Sequence, residues 1–340
     1  MSRAFDDDLF DDEFIPALAL KNIPRKKKHS KPRRPLNVAQ RQALESDVLE
    51  QEDTPFDITY KAARYEAQWL HESLSLYVEH KWFDDVLRMI KGGKEASVYL
   101  CKGNETTGLD FLAVKVYRPR MFRNLKNDWL YREGRADLDE QGNQITDKGK
   151  IYAMRKRTEF GRELLHISWL EHEYNTMRIL HEAGADVPKP FASSSNAILM
   201  EYFGDKVVGA PTLNEVDLDT GEAKELYERV IHNIDIMLSK GRIHGDLSAY
   251  NILYWEGEIV LIDFPQAVSP TENRSAYRIF ERDVTRVSEY FQRMGVRSNP
   301  RHLAAGLWQR YQQAFTPQID PKMLSDEEGD RAIWESLKNA

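Results

Sequence analysis

The chain is poor in thiols: Cys101 is the single cysteine among its 340 residues. No internal disulfide can form, and no thiol-rich metal site is available. Long apolar runs are also lacking; none approaches the ~20 residues that a bilayer-spanning helix requires. The opening MSRAFDDDLFDDEF is acidic and without the basic-then-apolar order of a signal peptide. A soluble cytoplasmic protein with no membrane partner is therefore expected. A net charge of −7 argues against a protein that coats nucleic acid with its whole surface.

What is present is unevenly spread. Residues 1–13 carry six acids and one arginine, whereas residues 21–35 carry eight Lys/Arg and no acid. Neither block has apolar periodicity, so residues 1–55 read as a disordered tail. Its basic block is either a solvated segment or an arm that contacts RNA or a ribosomal subunit. From residue 56 to 85 the pattern turns helical, with Trp69, Leu70, Leu74, Leu76 and Tyr77 at near-helical intervals. Strands are expected over Val86–Ile90, Ala96–Cys101 and Phe111–Tyr117. In the third, Leu112, Val114 and Val116 share one face, and Ala113, Lys115 and Tyr117 the other. Residues 118–160 read as a polar, irregular and mobile insert. A helix from about Arg162 to Ala183 follows, then strand-like Val187-Pro188 and Ala197–Phe203. Helices are expected over Glu222–Lys240, Arg278–Met294 and Pro300–Phe315. A hairpin turning at Glu256-Gly257 interrupts them, and 317–340 form a tail. Strands first and helices later imply an α+β chain, with a small β-rich lobe (86–203) and a larger helical lobe (204–316).

The strongest chemical signal is HGDLSAYN, residues 244–251, followed by Ile262-Asp263-Phe264. It places two carboxylates and an amide just beyond short apolar runs. Phosphoryl transfer from a nucleotide needs such a set to orient a hydroxyl and hold magnesium. Asp246 can accept or orient a hydroxyl proton. The amide oxygen of Asn251 and the carboxylate of Asp263 are hard ligands suited to Mg²⁺. His244 reads as a packed, hydrogen-bonded histidine. Upstream, Lys91-Gly92-Gly93-Lys94-Glu95-Ala96-Ser97-Val98-Tyr99 joins two strands. Its glycines form either a simple turn or a tip whose N–H groups approach phosphate oxygens. It is neither GxxxxGK(S/T) nor GxGxxGxV. Lys115, inside Leu112-Ala113-Val114-Lys115-Val116, is either an edge-strand amine that snorkels outward or a phosphate clamp that needs a carboxylate partner. Helix 162–183 offers two carboxylates. Glu173 shares a face with Trp169, Met177 and Leu180, whereas Glu171 lies with Asn175 and Arg178. A carboxylate on an apolar stripe needs a buried partner, so Lys115 is paired with Glu173.

GKEASVY (93–99), AVKVY (113–117), HGDLSAYN and IDFPQAV (262–268) together resemble the RIO family of atypical serine/threonine protein kinases, over roughly Leu74 to Tyr311. The resemblance implies a trimmed protein-kinase-like bilobal fold that binds ATP and Mg²⁺ in the cleft. It assigns Gly92, Gly93, Lys94, Glu95, Ala96, Val98, Ala113, Lys115 and Glu173 to nucleotide binding. Met200, Glu201 and Tyr202 fall at the hinge that contacts adenine, and Asp246, Lys115 and Asp263 at the catalytic centre. Asn251 and Asp263 fall at the metal.

Departures from ordinary protein kinases carry physical meaning. Gly245 replaces an arginine that reads a phosphorylated activation loop, so that control is expected to be absent. Ser248 stands where many kinases hold a lysine near the γ-phosphate, which predicts weaker transition-state stabilisation. Pro265 fixes φ in place of a glycine, and no Ala-Pro-Glu platform follows. Two further readings stay open beside the kinase. One is an ATPase switch through an aspartyl-phosphate on Asp263, in ribosome maturation. The other is a non-catalytic, nucleotide-gated factor that binds RNA or the ribosome.

Overall fold

The computed structural model describes residues 58–93, 95–117 and 135–315. The acidic and basic blocks, Lys94, the first part of the insert (118–134) and residues 316–340 lie outside the described residues.

Strands β1 (Asp85–Gly92), β2 (Ala96–Lys102) and β3 (Phe111–Tyr117) follow one another antiparallel. With β4 (Pro190–Ser193) and β5 (Ala197–Glu201) they make a five-stranded sheet of order β1-β2-β3-β5-β4. Alternation along β3 decides its two faces. Leu112, Val114 and Val116 enter a core with Tyr99, Cys101 and Leu199, while Tyr117 enters the core of the helical part. Helix α1 (Arg64–Glu79) covers the first face with Leu70, Leu74 and Tyr77, all but fully buried, and the Tyr77 hydroxyl donates to Ala197 O at 2.6 Å. Leu76 belongs to another face and is 43% exposed, because two helical positions turn it about 200° from Leu74.

The described part of the insert is more ordered than its polarity suggests. From residue 135 the chain docks on the following helix, with Leu138 N–H donating to Ser168 Oγ at 2.9 Å. Asp139 closes a turn by accepting from the N–H groups of Gln141 and Asn143. Helix α2 (Lys148–Lys156) is capped by Asp147 and ends at Arg157 in the left-handed region; Thr158 then caps α3 (Glu159–Glu182). Side-chain caps satisfy amides that the helix cannot, so short polar segments here make structure. The Val187-Pro188 strand is displaced: β4 begins at Pro190, because Val187 N–H bonds Ala185 O in a turn.

Helices α4 (Thr220–Ser239), α5 (Ala276–Gln292) and α6 (Pro300–Phe315) form the second core together with α3 and a hairpin, β6 (Ile252–Trp255) and β7 (Glu258–Leu261). The hairpin loop is Glu256-Gly257, both at positive φ, a two-residue type I′ turn that matches strand twist. Among the described residues no helix is long and apolar enough to cross a membrane.

Helix α3 packs on the helical core through Trp169, Leu170, Met177 and Leu180 and on β4 through Glu171, so it is buried on more than one face. Glu171 is therefore not on a solvated face: it is 3% exposed and accepts from Ser193 Oγ at 2.6 Å. Burial, opposed by that hydrogen bond and reinforced by Asp139 and Glu140, pushes its pKa up to about 7. A carboxyl raised in the folded state adds stability that is complete below its unfolded pKa and is lost as pH rises through the folded value. The melting temperature is thus expected to fall between pH 4.5 and about 7 through this group. Glu171→Gln should flatten that segment of a calorimetric Tm profile; an unchanged slope would remove Glu171 as its source.

Candidate active site

Three separate elements bring charge to one point. Lys115 in β3 places Nζ 2.7 Å from Glu173 Oε1 of α3 and 2.5 Å from Asp263 Oδ1, just beyond β7. Its partners differ in environment, since the Glu173 side chain is 1% exposed and that of Asp263 43%. The Tyr117 hydroxyl donates to the other oxygen of Glu173, and the Lys115 ammonium lies 5.3 Å from the Tyr117 ring centroid. Burial opposes the charge on Lys115, but the carboxylates of Asp263 and Glu173 raise its pKa well above the usual ammonium value. Burial likewise opposes ionisation of Asp263; the Lys115 ammonium outweighs it and holds the carboxyl below its usual range. Lys115 and Asp263 are thus held in their charged forms.

The HGDLSAYN segment is built on local hydrogen bonds. His244 is 1% exposed and packs 4.7 Å from the Phe264 ring. Its Nδ1 accepts from Asp246 N–H at 3.3 Å, so Nε2 carries the proton that faces Ile262 O at 3.1 Å. Both ring nitrogens are thereby used in joining the two loops. Asn251 Nδ2 donates to the backbone oxygen of Asp246 at 2.8 Å and approaches its Oδ2 at 3.3 Å. The hairpin then sets the spacing of Asn251 and Asp263. Ile252 pairs with Leu261, and Ile262 N–H donates to Asn251 O at 3.0 Å. Asp263 leaves the strand at φ +73.

The nucleotide-binding candidates line the sheet. Gly92 and Gly93 sit at the exposed β1–β2 tip, closed by Gly93 N–H to Ala96 O at 2.9 Å, with Glu95 between. Val98 pairs with Lys115 across β2–β3. Ala113, 5% exposed, pairs with Met200, and Leu112 pairs with Glu201. Tyr202 follows β5; its hydroxyl donates to Asp205 O at 2.8 Å and accepts from Arg88 at 3.3 Å. Lys94 lies outside the described residues.

Mg²⁺ binds through one or two protein ligands together with water and phosphates. The donor set fits that demand. Lys115 engages one oxygen of Asp263 and leaves the second available, while Asp246 takes the Asn251 amide nitrogen and leaves its oxygen. Among the described residues no group of three or more His, Cys, Asp or Glu could hold a metal alone.

Four supporting residues were not anticipated. Arg286 on α5 pairs with Asp246 Oδ1 at 2.8 Å. Asp283, 2% exposed, accepts the Gly245 N–H at 2.8 Å and is held by Arg282. Arg135 donates to Pro265 O and Ala267 O at 3.0 and 2.6 Å, pinning the loop after Asp263. Asp283 was findable: it lies on the stripe of Phe280, Val284 and Val287, where a carboxylate needs a partner. The two outlying arginines carry no local signal.

Gly245 has a structural cause. Its φ is +86, and a Cβ there would lie 2.1 Å from Gln266 O. An arginine at this position is excluded sterically. Gly245→Ala should cost about 2–4 kcal/mol from strain and displacement of that loop. Denaturant unfolding checks this, and an unchanged midpoint would contradict the packing.

The chain is 31% identical to the RIO-type serine/threonine-protein kinase Rio1 of Haloferax volcanii, across 61% of this chain and 63% of that protein. It is 34% identical to the Thermoplasma acidophilum protein of the same name, across 39% of this chain and 68% of the relative. It is also 34% identical to the human serine/threonine-protein kinase RIO3, across 38% of this chain and 25% of that protein. The chain thus spans under two thirds of the Haloferax relative and a quarter of the human one. The RIO domain profile matches residues 97–303, which include Lys115, Glu173, Asp246, Asn251 and Asp263, and the chain belongs to the RIO family.

Proposed function

We propose that the chain is a serine/threonine protein kinase that transfers the γ-phosphoryl group of Mg·ATP to a protein hydroxyl. The observation that carries this reading is the Lys115 ammonium held between Glu173 and Asp263, with Asp246 and Asn251 on the adjoining loop. Lys115, fixed by a nearly buried Glu173, meets phosphate oxygens as a positioned cation and not as a freely swinging one. The glycine tip at Gly92-Gly93, without side chains, lets the same phosphates approach the backbone closely. Asp246 is oriented on one side by Arg286 and on the other by Asn251, ready to accept the proton of an attacking hydroxyl. Asn251 and Asp263 would hold Mg²⁺, which when bound neutralises charge on the transferring group. Adenine would lie against Ala113 and the Met200-Glu201-Tyr202 segment.

Incubating the full chain with γ-labelled ATP and Mg²⁺ tests this reading. Acid-stable label on serine or threonine is expected, and Asp246→Asn should lower its rate by at least about 10²-fold while circular dichroism stays unchanged. Hydroxylamine-labile label confined to the chain would replace the kinase with a phospho-aspartate ATPase.

The eight cations of residues 21–35 support an RNA or ribosomal contact. Deleting residues 1–55 is expected to weaken cosedimentation with ribosomal subunits, most visibly at low salt. Unaltered cosedimentation would remove the tail from that role.

A further inference from the structure

A cavity of about 370 Å³ lies beyond the loop that follows Asp263. Four segments line it: residues 135–142 of the insert, one face of α3, Arg242 before His244, and residues 267–272. Its walls carry two guanidinium groups, Arg135 and Arg242, and the imidazole of His172. His172 Nδ1 and Arg242 Nε are buried and have no hydrogen-bond partner among the described residues. An unmatched buried donor costs free energy, more so on a charged group, unless a ligand satisfies it. One carboxylate, the exposed Glu272, stands at the wall, so the two arginines leave an excess of positive charge.

We propose that this cavity is a binding site for a phosphate group, held by Arg242 and His172 with Arg135 alongside. The volume admits a phosphomonoester, and guanidinium groups match phosphate oxygens in geometry as well as charge. Burial, then the charges of Arg135 and Arg242, hold the His172 pKa far below the usual imidazole range, and burial lowers that of Arg242. A dianion between them reverses both penalties. Arg135 joins the cavity to the active site, because its Nη2 also binds the oxygens of Pro265 and Ala267. The group can come from free phosphate or from a phosphorylated serine or threonine of this chain; the chemistry is shared. The site stands independently of the phosphoryl-transfer reading.

The test uses the full chain with ¹⁵N-labelled histidine, its His172 signal assigned through His172→Gln. Inorganic phosphate should move that signal toward the imidazolium position at pH 7, with half-saturation near ~1 mM. Matched sodium chloride should not. Arg242→Gln should weaken the response at least about tenfold, whereas Glu272→Gln should preserve or tighten it. If a phosphorylated side chain is the source, incubation with Mg·ATP and desalting should give the same shift without free phosphate, and phosphatase should reverse it. No movement of His172 with phosphate up to about 50 mM and none after incubation with Mg·ATP would overturn the proposal. So would unchanged phosphate binding in a folded Arg242→Gln variant. Should that variant not fold, the wild-type titration and its chloride control decide alone.

Discussion

The Lys115 ammonium is the one group that the sheet, helix α3 and the hairpin all require. Each of its carboxylate partners belongs to a different element, so the ion pairs fix the mutual placement of all three. Removing one member of such a buried pair is expensive because the other stays charged in a medium that solvates it poorly. Glu173 also receives the Tyr117 hydroxyl, so β3 contributes two donors to the same carboxylate. Helix α3 is thus tied to β3 by polar contacts and to the helical core by Trp169, Leu170, Met177 and Leu180. The more exposed Asp263 is where that rigid assembly opens to the cleft.

Local patterns made much of this legible. Period-two alternation placed Lys115 on the face away from α1, and Glu256-Gly257 marked a hairpin turn whose backbone conformation few other pairs adopt easily. In the sequence, the apolar stripe separates Glu173 from Glu171. In the structure only half of that distinction holds. Glu171 is buried too, because α3 is covered on two faces, and a helix between two layers has no wholly solvated side. The insert misled for a related reason. Its polar residues cap helices and close turns, so composition alone suggested irregular chain where short helical structure forms. The positions of Arg286 and Arg135 were illegible, since their partners lie 40 and about 130 residues away and nothing in their surroundings marks them.

Gly245 and Arg242 are separated by two residues but answer opposite demands. At Gly245 the chain passes so close to Gln266 that no side chain fits. At Arg242 a guanidinium is kept, buried, on the far side of the same loop. The steric requirement of one position thus removes a cation from the catalytic segment without removing cations from its neighbourhood. Arg135, Arg242, Arg282 and Arg286 all lie around the loops that carry Asp246 and Asp263. Arg135, Arg282 and Arg286 bond the backbone oxygens and carboxylates of those loops, whereas Arg242 Nε is left without a partner among the described residues.

The hairpin between Asn251 and Asp263 divides the site by chain separation. The bond from Ile262 to Asn251 closes a loop of about a dozen residues, whereas the two bonds of Lys115 close loops of 58 and 148. Closure entropy rises with loop length, so the contacts of Lys115 carry the larger entropic cost. The amide and carboxylate that would face the metal take their spacing from a local unit. The lysine joins them only where both halves of the fold meet. A chain with its hairpin intact but its sheet undocked would therefore hold half a centre and no clamp.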